Sequence, residues 1–216
     1  MDKDNSLIIS LLQKFFPQLE SEARTIIAQS SSLKQVEAGA TLMRTGQYFK
    51  SGMLVVKGRV KVYKEDEEGN EVFMYYLEPG SACALSMICA AKREASVISA
   101  RTIEETELIA FPLGLMDELM TKYKSWYYFV LENYRSRFEE LLETLESVTF
   151  KSMDERLEFY LKKQQKALQT NELKITHEEI ARDLNSSRVV ISRLLKKMEE
   201  AGKVKINRNS LILKNL

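Results

Sequence analysis

The spacing of apolar side chains changes character three times along this chain. Over residues 7 to 30, Leu7, Ile8, Leu11, Leu12 and Phe15 recur at helical intervals and Pro17 interrupts them, which predicts two short helices. From about Val36 to Phe111 the pattern shortens to alternation punctuated by glycine. "MLVVKGRVKVYKED" alternates around Gly58, "EEGNEVFMYYLEPG" supplies a Gly-Asn turn and a Pro79-Gly80 turn, and together they predict many short strands in a small barrel or roll. Pro112 closes this region and suits the first turn of a helix.

Ser125 is a suitable N-cap for a longer helix. Along it Tyr127, Leu131, Tyr134, Phe138, Leu141, Leu145 and Val148 recur at alternating steps of four and three, a heptad seam about 32 Å long. Such a seam packs either on the roll or on a second copy of the chain. Arg135, Arg137, Glu139 and Glu140 lie off the stripe, as a parallel coiled-coil interface requires. A joint follows at Thr149 to Ser152. "SMDE" and "THEE" then have the capping-box form, opening helices at Ser152 and Thr176.

Residues 177 to 202, "HEEIARDLNSSRVVISRLLKKMEEAG", keep helical spacing but break once, at Asn185-Ser186. Ile180, Ala181 and Leu184 face inward on the first helix, and Ile191, Leu194, Leu195 and Met198 on the second. Ser186 or Ser187 caps the second helix, and Gly202 stops it. "KVKINRNSLILKNL" reads as two strands around a polar turn, a wing. In a helix-turn-helix the second helix enters the major groove with its N-terminal residues on base edges. The candidate DNA contacts are therefore Thr176, Ser186, Ser187, Arg188, Val189, Ser192, Arg193 and Lys196, with Lys203, Lys205 and Arg208 adding charge to the wing.

Charge sharpens this picture. The net charge is only +1, yet residues from Lys151 onward hold 15 Lys+Arg against 9 Asp+Glu, while the remainder is acidic. A basic C-terminal segment on an acidic body points to nucleic acid. No apolar run approaches the roughly 18 residues that span a bilayer, and the acidic start is wrong for a secretory signal, so the expected location is cytoplasmic and away from membranes. No phosphate loop or metal-ligand spacing occurs, and a single histidine supports no catalytic triad; the chain is expected not to be an enzyme.

The glycine-punctuated roll (Gly39, Gly46, Gly58, Gly80), the long helix, "DERLEFYL" and above all "SRVVISRLLKKME" resemble the cAMP receptor protein/FNR (Crp/Fnr) family of bacterial transcription regulators, over nearly the whole length. The resemblance implies an α+β fold: a cyclic-nucleotide-binding-like β-roll (double-stranded β-helix or jelly roll) over residues 1–124, a dimerisation helix and joint over 125–150, and a winged helix-turn-helix over 151–216. It also implies a homodimer on a near-palindromic double-stranded site, with RNA polymerase a candidate partner.

Two departures from the family pattern matter. Better-known members carry glutamate after the first arginine of the recognition helix, accepting from a cytosine amine. Val189 cannot accept, but it can touch a thymine methyl. "PGSACALSMICAAKREASV" resembles the phosphate-binding cassette of cyclic-nucleotide-binding relatives, which places the candidate effector pocket at Cys83, Ala84, Leu85, Arg93 and Glu94. The Gly-Glu positions of that cassette fall on Cys83-Ala84, so the carboxylate that holds the ribose is missing, and Glu94 sets a negative charge beside the anion site. cAMP stays open as an effector but is disfavoured, and no cofactor is expected. Cys83 and Cys89 are too few for a four-cysteine cluster within one chain, while a thiol switch stays open. The alternative class is a cyclic-nucleotide or thiol-redox sensor module that acts through protein partners.

Overall fold

The computed structural model describes residues 3–66, 68–69, 71–83, 92, 94–150 and 152–214, without the side chains of residues 3, 143, 144 and 146–150. The chain divides into two units, Met1–Lys64 with Met74–Glu139, and Glu65–Phe73 with Glu140–Leu216.

In the first unit, helices α1 (Lys3–Phe15) and α2 (Ser21–Ser30) precede the strands. β1 (Ser32–Val36) and β3 (Ser51–Lys57) flank β7 (Thr106–Pro112) in one antiparallel sheet. β2 (Thr41–Met43), β6 (Ser99–Thr102), β4 (Val60–Glu65) and β5 (Glu71–Leu77) form a second, in that order. This is the glycine-punctuated roll predicted from the alternation.

The strand β3 shows why the roll needs its helices. Leu54, Val55 and Val56 are consecutive and all buried, so both faces of the strand are covered. Val55 joins Val60, Val62, Tyr75, Leu77, Ile98 and Leu108 inside the roll. Leu54 and Val56 turn the other way with Ile109 and Phe111, against the N-terminal helices, α3 (Leu115–Lys122) and the start of α4 (Lys124–Phe150). Trp126 anchors that second core, edge-on to Phe111 at 5.6 Å and tilted on Phe129 at 5.5 Å. Gly58 turns the chain between β3 and β4 at φ 76°, where an added Cβ would strike the Glu105 carbonyl and Thr106. Only glycine fits there.

Three details depart from the expectations. Pro112 ends β7 opposite Ser51 instead of entering a helix, and α3 starts three residues later. A strand end tolerates a residue with no N–H to donate. Ser125 lies inside α4 instead of capping it. Its hydroxyl accepts from the Glu20 N–H, and its own N–H donates to Glu20 Oε1, both at 3.0 Å. On α1, Leu7 is exposed, and Phe16, just past the helix, completes the buried face of Ile8 and Leu12.

In the second unit α5 (Met153–Leu168), α6 (His177–Asp183) and α7 (Arg188–Glu200) accompany a small sheet. Its strands are β8 (Glu172–Leu173), β10 (Ser210–Leu213) and β9 (Val204–Asn207), in that order. Both predicted capping boxes are present, at Ser152 with Glu155 and at Thr176 with Glu179. The short strand β8 was not anticipated, since two residues leave no periodicity to read. Among the described residues no helix is long and apolar enough to cross a membrane.

Candidate nucleic-acid interface

The interface is built from the break in the periodic stretch. Asn185 takes the left-handed conformation at φ 48°, as a short polar side chain tolerates, and the chain reverses there. Its N–H donates to the Arg182 carbonyl at 3.1 Å and the Ser186 N–H to the Ala181 carbonyl at 2.8 Å. Arg156 on α5 reaches over to the Leu184 carbonyl at 3.0 Å, satisfying an acceptor the helix end leaves unpaired. Ser187, rather than Ser186, caps α7: its Oγ accepts from the Val190 N–H at 3.3 Å. Ser187 is itself exposed.

Ile191, Leu195 and Met198 are buried along one side of α7, with Leu194 half-buried beside them. At 100° per residue, Val189, Ser192, Arg193 and Lys196 fall on the opposite side. Arg188, Val189, Arg193 and Lys196 are exposed, Val189 to 77%, and Ser192 is half-buried. A large apolar side chain that protrudes this far from an otherwise polar face gains nothing for the fold. Thr176 stands differently from the others. Its hydroxyl donates to Glu179 Oε2 at 2.7 Å and accepts from the Glu179 N–H at 3.2 Å, so the cap occupies it.

One contact was not read from the sequence. The Nδ1 of His177, at the first position of α6, lies 2.9 Å from Ser192 Oγ on α7. Burial, then the Arg188 guanidinium, push the imidazole pKa below its ordinary value. The wing also differs in part. Lys203 precedes β9 and pairs with Glu158 on α5 at 2.5 Å, so its charge is spent inside the unit. Lys205 and Arg208 remain exposed. Glu199 Oε1 accepts from the Ile206 N–H at 2.7 Å, tying α7 to β9.

On α4 the seam is largely uncovered in the single chain. Tyr127, Leu131, Phe138, Leu141 and Leu145 are all exposed, Phe138 to 61%. Tyr134 is the exception: it packs in part against the core beneath the helix. The Val148 side chain lies outside the described residues.

Of the effector residues, Ala84, Leu85 and Arg93 lie outside the described residues, as does Cys89. Glu94 is exposed. Cys83 is half-buried, its sulfur 4.0 Å from the Tyr75 hydroxyl. It lines an apolar cavity of about 50 Å³ inside the roll, with Leu42, Phe49, Met53, Leu77 and Ile98 among its walls. No group of three or more His, Cys, Asp or Glu side chains is placed to hold a metal among the described residues.

Residues 33–123 match the cyclic nucleotide-binding domain, and residues 155–216 match the Crp-like helix-turn-helix domain. The fold is that of a Eubacterium rectale protein described as a transcriptional regulator of the crp/fnr family. That likeness has a TM-score of 0.78 and 27% identity, over 93% of this chain and 94% of that one. The chain belongs to the Crp/Fnr family of DNA-binding transcription regulators. It is 23% identical over 190 residues to the global nitrogen regulator of Synechococcus elongatus, covering 85% of this chain and 86% of that protein. The c-di-GMP-responsive regulator CLP of Xanthomonas campestris shares the fold at a TM-score of 0.79 with 16% identity, over 91% of this chain and all of that one.

Proposed function

We propose that this Crp/Fnr regulator acts as a homodimer on a near-palindromic duplex site, joined along the α4 seam and reading DNA with paired α7 helices. The observation that carries the reading is the outward face of α7, where Val189, Arg193 and Lys196 stand exposed around Ser192 with no role in the core. Arg193 supplies a bidentate donor for guanine, Lys196 a phosphate contact and Val189 an apolar contact for a thymine methyl. Ser186, Ser187 and Arg188 meet the backbone where α7 begins. The uncovered apolar stripe from Tyr127 to Leu145 supports the dimer, because water around so many large side chains costs more than a second copy would. Paired helices would then enter successive major grooves about 34 Å apart.

The division into a sensor roll (1–124), a dimer helix and joint (125–150) and a reading head (151–216) follows from this role. In this reading the effector binds at the roll near Cys83, Ala84, Leu85, Arg93 and Glu94. cAMP is disfavoured because the cassette lacks its ribose-binding carboxylate. RNA polymerase is the expected protein partner, the location is cytoplasmic and the chain performs no catalysis.

Salt tests the reading directly. Neutralised phosphates release counterions, so the logarithm of affinity for the operator should fall linearly with the logarithm of salt concentration. Fluorescence anisotropy with selected duplexes measures that slope. An affinity unmoved by salt, or equal for every sequence, would remove specific DNA reading from this protein.

A further inference from the structure

Ser192 offers one hydroxyl proton and an oxygen that accepts. What it presents outward depends on what His177 takes from it across 2.9 Å. His177 is the chain's single histidine, half-buried at the start of α6, while Ser192 sits on α7 between the exposed Val189 and Arg193. We propose that His177 sets the hydrogen-bonding sense of Ser192 toward a base edge, making base preference at one operator position depend on ring protonation. The inference rests on α7 reading the major groove.

The protons account for the effect. A neutral ring permits both senses. With the proton on Nε2, Nδ1 accepts from Ser192, whose oxygen then accepts from an adenine N6 or cytosine N4 amine. With the proton on Nδ1, the ring donates into Ser192 Oγ, and the hydroxyl proton turns to thymine O4 or to guanine O6 or N7. A protonated ring permits only the second sense, since Nδ1 then always donates. Acid therefore frees the hydroxyl proton for the acceptor-bearing bases and leaves the oxygen only one lone pair for an amine, which shifts preference toward the acceptor-bearing bases. The charged group facing the ring from α7 is Arg188, which together with burial favours the neutral form in the free protein. On α6 itself Glu178 is exposed, and the Glu179 carboxylate is turned back to Thr176. Phosphates brought by DNA act the other way and lift the transition toward the ordinary imidazole range.

The test uses the full-length protein and paired operators that differ only at the Ser192-contacted position, competed against each other from about pH 5.5 to about pH 8. Taking the ratio of two affinities cancels whatever pH does to binding in general. For the wild type, the preference for the amine-bearing over the acceptor-bearing base should fall roughly three- to tenfold as pH drops. Ser192→Ala should flatten that position at every pH and keep discrimination elsewhere. His177→Asn, whose amide both donates and accepts, should restore discrimination with no pH dependence. A wild-type ratio constant across the range overturns the inference, as does a pH dependence that survives His177→Asn. If the wild type prefers no sequence at all, groove reading itself has failed and the inference falls with it.

Discussion

The Tyr160 hydroxyl donates to Asp183 Oδ2 at 2.7 Å, and both residues are buried. One belongs to α5 and the other closes α6, so the bond ties the helix before the turn to the first helix of the reading head. A buried carboxylate that loses a donor forfeits part of what offset its desolvation. Tyr160→Phe should therefore destabilise the second unit by about 1–3 kcal/mol. Urea unfolding followed by circular dichroism measures it, and a change under about 0.5 kcal/mol would mean the bond is dispensable.

Glu158 gives stability a predictable pH dependence. The Lys203 ammonium, and next the Lys162 ammonium, hold its carboxyl below its ordinary value. A depressed folded-state pKa stabilises above the unfolded value of 4.5, and that stabilisation is lost as pH falls through the folded value. Glu158→Gln should cost about 1 kcal/mol near neutrality, since the group is partly exposed and screened. As pH falls from 4.5 through the lowered folded value, the variant and wild type should converge in thermal melts.

The α4 stripe predicts assembly. Leu141→Glu puts a charge where a facing helix would bury a leucine, and Leu141 is already exposed in the single chain. The fold should survive while sedimentation velocity shows monomer and operator affinity falls at least tenfold. A variant that still sediments as a dimer would place the interface elsewhere.

Val189 and Arg193 separate base reading from phosphate contact. Site selection with the wild type should return an A·T pair where relatives with glutamate select C·G, and Val189→Glu should restore C·G. Arg193→Ala should relax one position at a cost of about 1–3 kcal/mol, whereas Lys196→Ala should weaken all sequences alike and lower the salt slope by about one. A uniform loss for Arg193→Ala would reassign it to the backbone.

The legible parts of this fold were those written in local periodicity. Alternation around Gly58 gave the roll, and the steps of the seam and the two capping boxes gave the helices. Ile180, Ala181, Ile191 and Leu195 are buried where their spacing put them. What local pattern could not carry was pairing across distance. Ser125 reads as a cap, but it meets Glu20, 105 residues away. Lys203 reads as wing charge until Glu158, 45 residues back, claims it. His177 and Ser192 look unrelated on separate helices, yet 15 residues and a reversal bring them together. The exposure of Val189, Arg193 and Lys196 on α7 was legible because it follows from helical spacing alone, without any distant partner.

The bond from Ile206 to Glu199 constrains how this reading head could be re-engineered. Because a carboxylate on α7 holds a backbone amide of β9, grafting the helix alone onto another scaffold would strand that amide and let the hairpin drift. A transplant that retains its grip should span Ser152 through Leu213 as one cassette, carrying the hairpin and α5 with the helix they steer.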